Sequence, residues 1–428
     1  MFCLQRSCIF VLVLYICIIV AFKLILMKKN LFKTLLALSI ISVMFSCDKE
    51  EEETVAPVEE TEFKFIRILV NDELTNELSL VDPVKMTRES FQAQFPKTAL
   101  YPTEAGRFGA IISTANNTLQ LFDTGFENHG DHVDVKGTPK FGALTGDSFK
   151  PTHFKSKGDE IITFNDGDGT LSVASEADFH VSGAKMKKIN TGNLAHHGAM
   201  AKFNNGSYAI TEKDNSVAGS LPERVKIIDA NGNTLFASTL QTKGIHGNAG
   251  DGTTALFGSM SGIIAVKSTG EQRLIAHPAN FGTAWFSSIL HAKGADKFIG
   301  YSAAVGAYLI DPATDKVTPI IESADLIQVK MDYAGNKLIA FLYSGEVKIY
   351  DLKANSLLKS GSVISAVAKD ETQKPQIEAT SKYLYVTQPK SGELLQIDIN
   401  NLAKVNKIKV STTPYQLTIL GIESNESH

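Results

Sequence analysis

Glu160-Ile-Ile-Thr-Phe-Asn-Asp-Gly-Asp-Gly-Thr-Leu-Ser-Val173 holds two short apolar runs around a turn of aspartate and glycine. β-Branched and aromatic residues suit a pleated, half-buried strand, and Asp-Gly gives the backbone the freedom to reverse tightly. The segment therefore predicts an antiparallel hairpin. The same unit recurs along the chain. Its first strands are Phe108-Gly-Ala-Ile-Ile-Ser113, Glu160-Ile-Ile-Thr-Phe164, Ser207-Tyr-Ala-Ile-Thr211, Thr254-Ala-Leu-Phe257, Lys297-Phe-Ile-Gly-Tyr301, Lys337-Leu-Ile-Ala-Phe341 and Lys382-Tyr-Leu-Tyr-Val386. Their starts lie 40 to 52 residues apart. Second strands follow, as in Gly262-Ile-Ile-Ala-Val266, Ala307-Tyr-Leu-Ile310, Val347-Lys-Ile-Tyr350 and Leu394-Leu-Gln-Ile397. No stretch carries a long helical period.

A repeat of about 45 residues, each unit holding about four short strands, is the pattern of a β-propeller. The expected fold is all-β, one propeller over residues 63–428. Counting first strands gives seven blades of about four antiparallel strands. Residues 64–71 and 415–421 are expected to share one blade and close the ring, which removes exposed sheet edges. A β-helix is the runner-up, but its repeats are shorter and more regular.

The 428 residues are 43% hydrophobic and 21% charged, a globular composition that excludes disorder, collagen and coiled coil for the bulk. A net charge of −4 offers no basic surface for nucleic acid. The charge is unevenly spread. Residues 1–46 carry five basic groups and no acid, and residues 48–62 carry eight acids and one lysine. The four cysteines are Cys3, Cys8, Cys17 and Cys47. The region beyond residue 47 therefore has no disulfide, no thiolate metal ligand and no cysteine nucleophile.

Residues 1–47 read as a membrane or export leader. Ile9 to Leu26 is almost wholly apolar over a transmembrane length, with Lys23 its one charge. Met27-Lys-Lys-Asn30 then begins a second unit: a basic start, an apolar core from Leu31 to Phe45 with one lysine, and a break at Ser46-Cys47. That is the layout of an export signal, with Met27 as the expected true start. Val43-Met-Phe-Ser-Cys47 resembles the relaxed lipobox of Bacteroidota lipoproteins, which implies lipidation at Cys47. The acidic run Asp48-Lys-Glu-Glu-Glu-Glu53 resembles their surface-export signal. Residues 48–62 are expected to be a disordered acidic tether. The expected location is the bacterial cell envelope, lipid-anchored at the outer membrane on its periplasmic face or at the cell surface.

The ten histidines can be audited in full. His153, His197, His246 and His291 precede four successive first strands by seven, ten, eight and six residues. Equivalent positions of successive blades form a ring about the axis, so these imidazoles are expected at one mouth of the channel. Imidazole is a good ligand for zinc. The alternative is a structural histidine bonded within its blade. Of the pair His196-His197, only one can face the axis from a strand, and position 197 fits the phase better. A second cluster, Asn128-His-Gly-Asp-His-Val-Asp134, puts His129 and His132 beside two carboxylates in a glycine-bent loop. Asn165-Asp-Gly-Asp-Gly169 lacks the full twelve-residue calcium pattern and reads as a hairpin turn. Glu212 offers an additional oxygen ligand or an ion pair.

Together, His129-Gly-Asp-His132, Pro151-Thr-His-Phe154, Phe164-Asn-Asp-Gly-Asp-Gly169, Ala195-His-His-Gly198, Tyr208-Ala-Ile-Thr-Glu212 and Gly244-Ile-His-Gly247 resemble the AztD-type bacterial zinc metallochaperones. The resemblance is clearest over residues 126–270. It implies a Zn2+-carrying propeller, with the histidines above as ligand candidates and the solute-binding protein of an ABC zinc importer as recipient. The family commonly has cysteines around the segment matching Gly244 to Gly258, where this chain has Thr242 and Ser259 nearby.

The expected function is zinc capture and delivery to an uptake system, either that importer or an outer-membrane metal receptor. His153, His197 and His246 are the favoured core ligands, His129 and His132 the loop ligands, and His196 and His291 second in rank. A surface-anchored propeller module for protein or glycan, with structural histidines, is the alternative. An enzyme is not expected. Glu212 or Asp166 could serve as a base, but there is no nucleophile elbow, HExxH or phosphate loop.

Overall fold

The computed structural model describes residues 61–427. The leader, the start at Met27, the lipidation site Cys47 and the tether up to residue 60 lie outside them.

Each repeating unit folds as a four-stranded antiparallel sheet, and there are eight such sheets among the described residues. The propeller has eight blades, not the seven counted in the sequence. The strands that stand out in the sequence are the second strands of their blades. Lys337–Leu342, for example, is paired on both edges and buried almost throughout, so it reads as a continuous apolar run. The strand before it in each blade is often short, as in Met200–Lys202 and Ile377–Ala379. The chain ends do not complete one of the seven counted units. Pro414–Gly421 pairs with Ile66–Asp72, and Glu77–Asp82 and Thr87–Gln92 fill the other two places of an eighth blade. Its second strand, Ile66–Asp72, is buried like its counterparts, but the inner strand it pairs with, Pro414–Gly421, comes from the other end of the chain, so no contiguous repeat unit marks this blade. The expected pairing of the two ends is found, with Ile66 opposite Gly421 and Ile68 opposite Ile419.

The blades pack face to face through apolar layers. Ile162, Phe164, Leu171, Val173 and Ile189 of the second blade meet Met200, Tyr208, Ile210 and Ile228 of the third. Burying each such large side chain contributes about 1.5–3 kcal/mol. Most successive first strands adjoin around the axis.

Strand direction sorts the loops. All pairs within a blade are antiparallel, so turns between first and second strands, and between third and fourth, lie on one face, here called lower. Turns between second and third strands lie on the upper face, as do the connections into the next blade. This sorting decides which side chains can meet.

The chain enters on the lower face. Glu62, the last residue of the expected tether, is only 2% exposed. Its Oε2 accepts from Tyr385 Oη at 2.6 Å and Thr380 Oγ1 at 2.7 Å, and its Oε1 from the Phe63 amide at 2.9 Å. Burial holds its carboxyl above the usual range despite these bonds. The ordered body thus begins before residue 63.

Candidate metal site

His153 is the third residue of Pro151–Lys157, the first strand of the second blade. His197 lies in the connection from Lys187–Ile189 to Met200–Lys202. His246 is the second residue of Ile245–Gly250, the first strand of the fourth blade. All three therefore stand at the upper face. Their ring centroids are 4.9 Å apart (His153 to His197), 4.9 Å (His197 to His246) and 5.6 Å (His153 to His246). One nitrogen from each lies within 4.8 Å of the others.

Local backbone features aim these rings. The pairing register shifts between His246 and Asn248, and Gly247 takes φ +61° there. A Cβ on Gly247 would lie 2.4 Å from the Ser287 carbonyl oxygen, so only glycine fits. Gly198, next to His197, lets the chain pass over the Phe164 ring, where a Cβ would come within 2.2 Å.

Hydrogen bonds fix two tautomers. His197 Nδ1 donates to Asp166 Oδ2 at 2.6 Å, and His246 Nδ1 donates to the Ser287 carbonyl at 2.7 Å. Both residues keep Nε2 as a lone-pair donor to a metal. The Nε2 atoms of His153 and His197 are 3.3 Å apart. Two nitrogens bound at about 2.0–2.1 Å to a tetrahedral zinc would lie about 3.3–3.4 Å apart, so this pair already has the spacing of a loaded site. Asp166 is itself held by Thr152 Oγ1 at 2.8 Å and by the Gly198 amide at 3.3 Å. Burial, followed by the charges of His197, Lys155 and His246, pulls the His153 imidazole down to about 3. It is therefore neutral, the form that binds metal, across the physiological range.

The other candidate histidines fall elsewhere. His196 is buried, with Nδ1 donating to the Leu194 carbonyl at 2.7 Å and Nε2 accepting from Thr211 Oγ1 at 3.1 Å. Both ring nitrogens are used inside the fold, and burial lowers its pKa. His291 does not join the triad. It pairs with Phe298, near the start of its partner strand, whereas His153 and His246 pair with Phe164 and Gly258, near the ends of theirs. It stands at the lower end of the channel, lining a cavity with Glu104 and Lys293. Glu212 forms an ion pair with Lys226 at 3.1 Å. Asn165–Thr170 is a hairpin turn as expected, closed by the Gly169 amide on the Asn165 carbonyl at 2.8 Å.

His129 and His132 cap a small hairpin, Phe126–Asn128 with Val133–Val135. Their rings stack at 5.1 Å. Asp134 lies 3.5 Å from His129 Nε2 and 3.7 Å from His132 Nε2, and Glu127 lies 3.8 Å from His129. The Lys136 ammonium occupies this acidic cluster, 2.7 Å from Asp134 and 3.7 Å from Glu127, and it holds the Asp134 carboxyl below its usual range. The hairpin connects the third and fourth strands of the first blade, so it lies on the lower face. The Val133 amide bonds the Glu426 carbonyl there at 3.0 Å. The hairpin and the triad are at opposite ends of the propeller.

No family model matches the chain. A curated relative, the zinc chaperone AztD of Citrobacter koseri, is 23% identical over 312 residues, covering 69% of this chain and 72% of the relative. The likeness is to AztD. Two solved structures of Citrobacter koseri AztD, one of them the apo form, superpose with TM-scores of 0.75 and 0.74 at 20% and 19% identity. Each match covers 84% of this chain and 99% of the AztD chain. The resemblance expected from the sequence is therefore found in both sequence and fold. Dihydro-heme d1 dehydrogenase NirN matches at TM-score 0.59 and 12% identity, over 85% of this chain and 76% of its own, and shares the fold alone.

Proposed function

We propose that the chain is a zinc-carrying propeller that binds its cargo on His153, His197 and His246 and passes it to a zinc-uptake system. The observation that carries this reading is the triad: three half-buried imidazoles, from two strands and one connection, with ligand atoms within 4.8 Å of one another. The likeness to a zinc chaperone supports zinc as the cargo. Three neutral nitrogens leave the fourth zinc position for a transferable ligand, which suits a carrier. His129 and His132 form a second, exposed cluster that can take a cation once Lys136 moves aside. A recipient of the solute-binding class of ABC importers, or an outer-membrane receptor, fits a carrier lipidated at Cys47 in the cell envelope.

The test is zinc titration of the protein in competition with a chromophoric chelator, with His153→Ala and His246→Ala alongside. Submicromolar binding lost in both variants is expected. Absence of zinc binding, with the variants destabilised instead, would assign the histidines to the fold and leave an interaction module for protein or glycan.

A further inference from the structure

Beneath the triad lies a cation. Lys155 is two residues beyond His153 on the same regular strand, with His153 opposite Phe164 and Lys155 opposite Ile162. Alternation along a strand puts both side chains on the same side of the strand. The Lys155 ammonium donates to the Asn248 carbonyl at 2.8 Å. Asn248 belongs to the fourth blade, two residues beyond His246. Lys155 therefore spans the inner strand of the third blade and forms a floor one step below His153 and His246. Among the described residues Lys155 has no ion-pair partner, although three N–H donors are at its disposal.

The charges around the triad do not balance for a loaded ion. The three ligands are neutral, and no carboxylate joins them in the ligand group among the described residues. The Asp166 carboxylate and the Lys155 ammonium cancel, so a bound Zn2+ keeps its full charge in a half-buried mouth. A buried ion pair or an anionic ligand is the usual remedy. We infer that the fourth zinc ligand is a carboxylate, seated between the metal and the Lys155 ammonium. Such a group comes either from a free small carboxylate or from an Asp or Glu side chain of a partner protein. Either source gives the site a means of transfer, since exchange of that one ligand opens the metal to an acceptor. This inference rests on the triad as the zinc site.

The experiment is chelator competition for zinc at fixed ionic strength, with increasing acetate or with a blocked peptide bearing one glutamate. The wild-type protein, Lys155→Met and Lys155→Arg are compared, with folding checked by circular dichroism. Apparent zinc affinity is expected to rise about 10–100-fold with carboxylate in the wild type, the range by which groups around a metal's ligands tune affinity. Lys155→Met should lose the response and Lys155→Arg should keep it. A response to acetate identifies a free carboxylate as sufficient, and a response to the peptide alone identifies a protein side chain. Zinc binding that ignores both carboxylates, or an equal response in Lys155→Met, would overturn the inference while leaving the triad intact. No zinc binding under any condition would overturn the triad and this inference together.

Discussion

Asp166 accepts a 2.6 Å hydrogen bond from His197 Nδ1, which fixes the imidazole with Nε2 turned toward His153. A carboxylate behind a metal-binding histidine sets its tautomer and raises its basicity, and loss of such a partner typically costs about 10–100-fold in metal affinity. Asp166→Ala is therefore expected to weaken zinc binding by that factor while the propeller stays folded. Chelator competition with a parallel thermal melt measures both. Unchanged affinity would show that His197 is held by other means.

His196 and His197 are sequence neighbours with opposite expected behaviour. His196→Ala removes a buried ring that satisfies the Leu194 carbonyl and Thr211, and its loss is expected to cost about 1–3 kcal/mol of stability. Zinc affinity should be little changed. His197→Ala should reverse the pattern, with a small stability change and a large loss of zinc. Denaturant unfolding and zinc competition on the two variants decide the matter, and a zinc defect in His196→Ala comparable to that of His197→Ala would contradict it.

These contrasts mark what the sequence could disclose. The blade repeat was legible because each second strand is covered on both faces and keeps an unbroken apolar run, as in Lys337–Leu342. The eighth blade was not, because its first strand Pro414–Gly421 and its second strand Ile66–Asp72 come from opposite ends of the chain and form no contiguous unit. His153, His197 and His246 were legible from their phase. His291 shared that phase only because residues were counted to the next strand, a measure blind to the hairpin register that places it at the other end of its strand. Asp166 was visible as a turn residue and as a candidate base, but not as the partner of His197. Its contact with His197 joins the second blade's turn to the connection that follows, which no local pattern encodes.

The low pKa of His153 makes a prediction about the metal-free protein. Burial is the main cause, and it pulls the group down to about 3, against about 6.5 for an ordinary imidazole in the unfolded chain. Between these values the unfolded chain holds a proton that the folded chain refuses. The stability from this group is thus fully present above about pH 6.5 and is lost as pH falls toward 3. His153→Gln should flatten that part of the curve. Thermal unfolding of both proteins from pH 7 to pH 4 checks it, and two curves that fall in parallel would refute the assignment.

Glu62 predicts where the stable body starts. Its carboxyl accepts from Tyr385, Thr380 and the Phe63 amide in a buried setting. Removing it strands these donors, at a cost of about 1–3 kcal/mol. A protein beginning at Phe63 should therefore unfold at lower denaturant than one beginning at Thr61, and Glu62→Ala in the longer form should reproduce the loss. Equal midpoints for all three would mean that water replaces the carboxyl at no cost.

The hairpin histidines and the triad occupy opposite faces, which bears on how two zinc sites would communicate. Sites that share no partner and lie far apart behave additively to within about 0.3–0.5 kcal/mol. Replacing His129 and His132 together by alanine should remove zinc bound at the hairpin without altering the affinity of the triad. Conversely, His246→Ala should spare the hairpin. Handover from hairpin to triad within one molecule would then require release into solvent or carriage along the channel, because no hairpin ligand reaches the upper face. Zinc stoichiometry and stepwise affinities of the two variants, measured by calorimetry at a pH where the triad is loaded, test this independence. A shift of the triad's affinity by tenfold or more in the hairpin variant would show a coupling that the geometry does not provide.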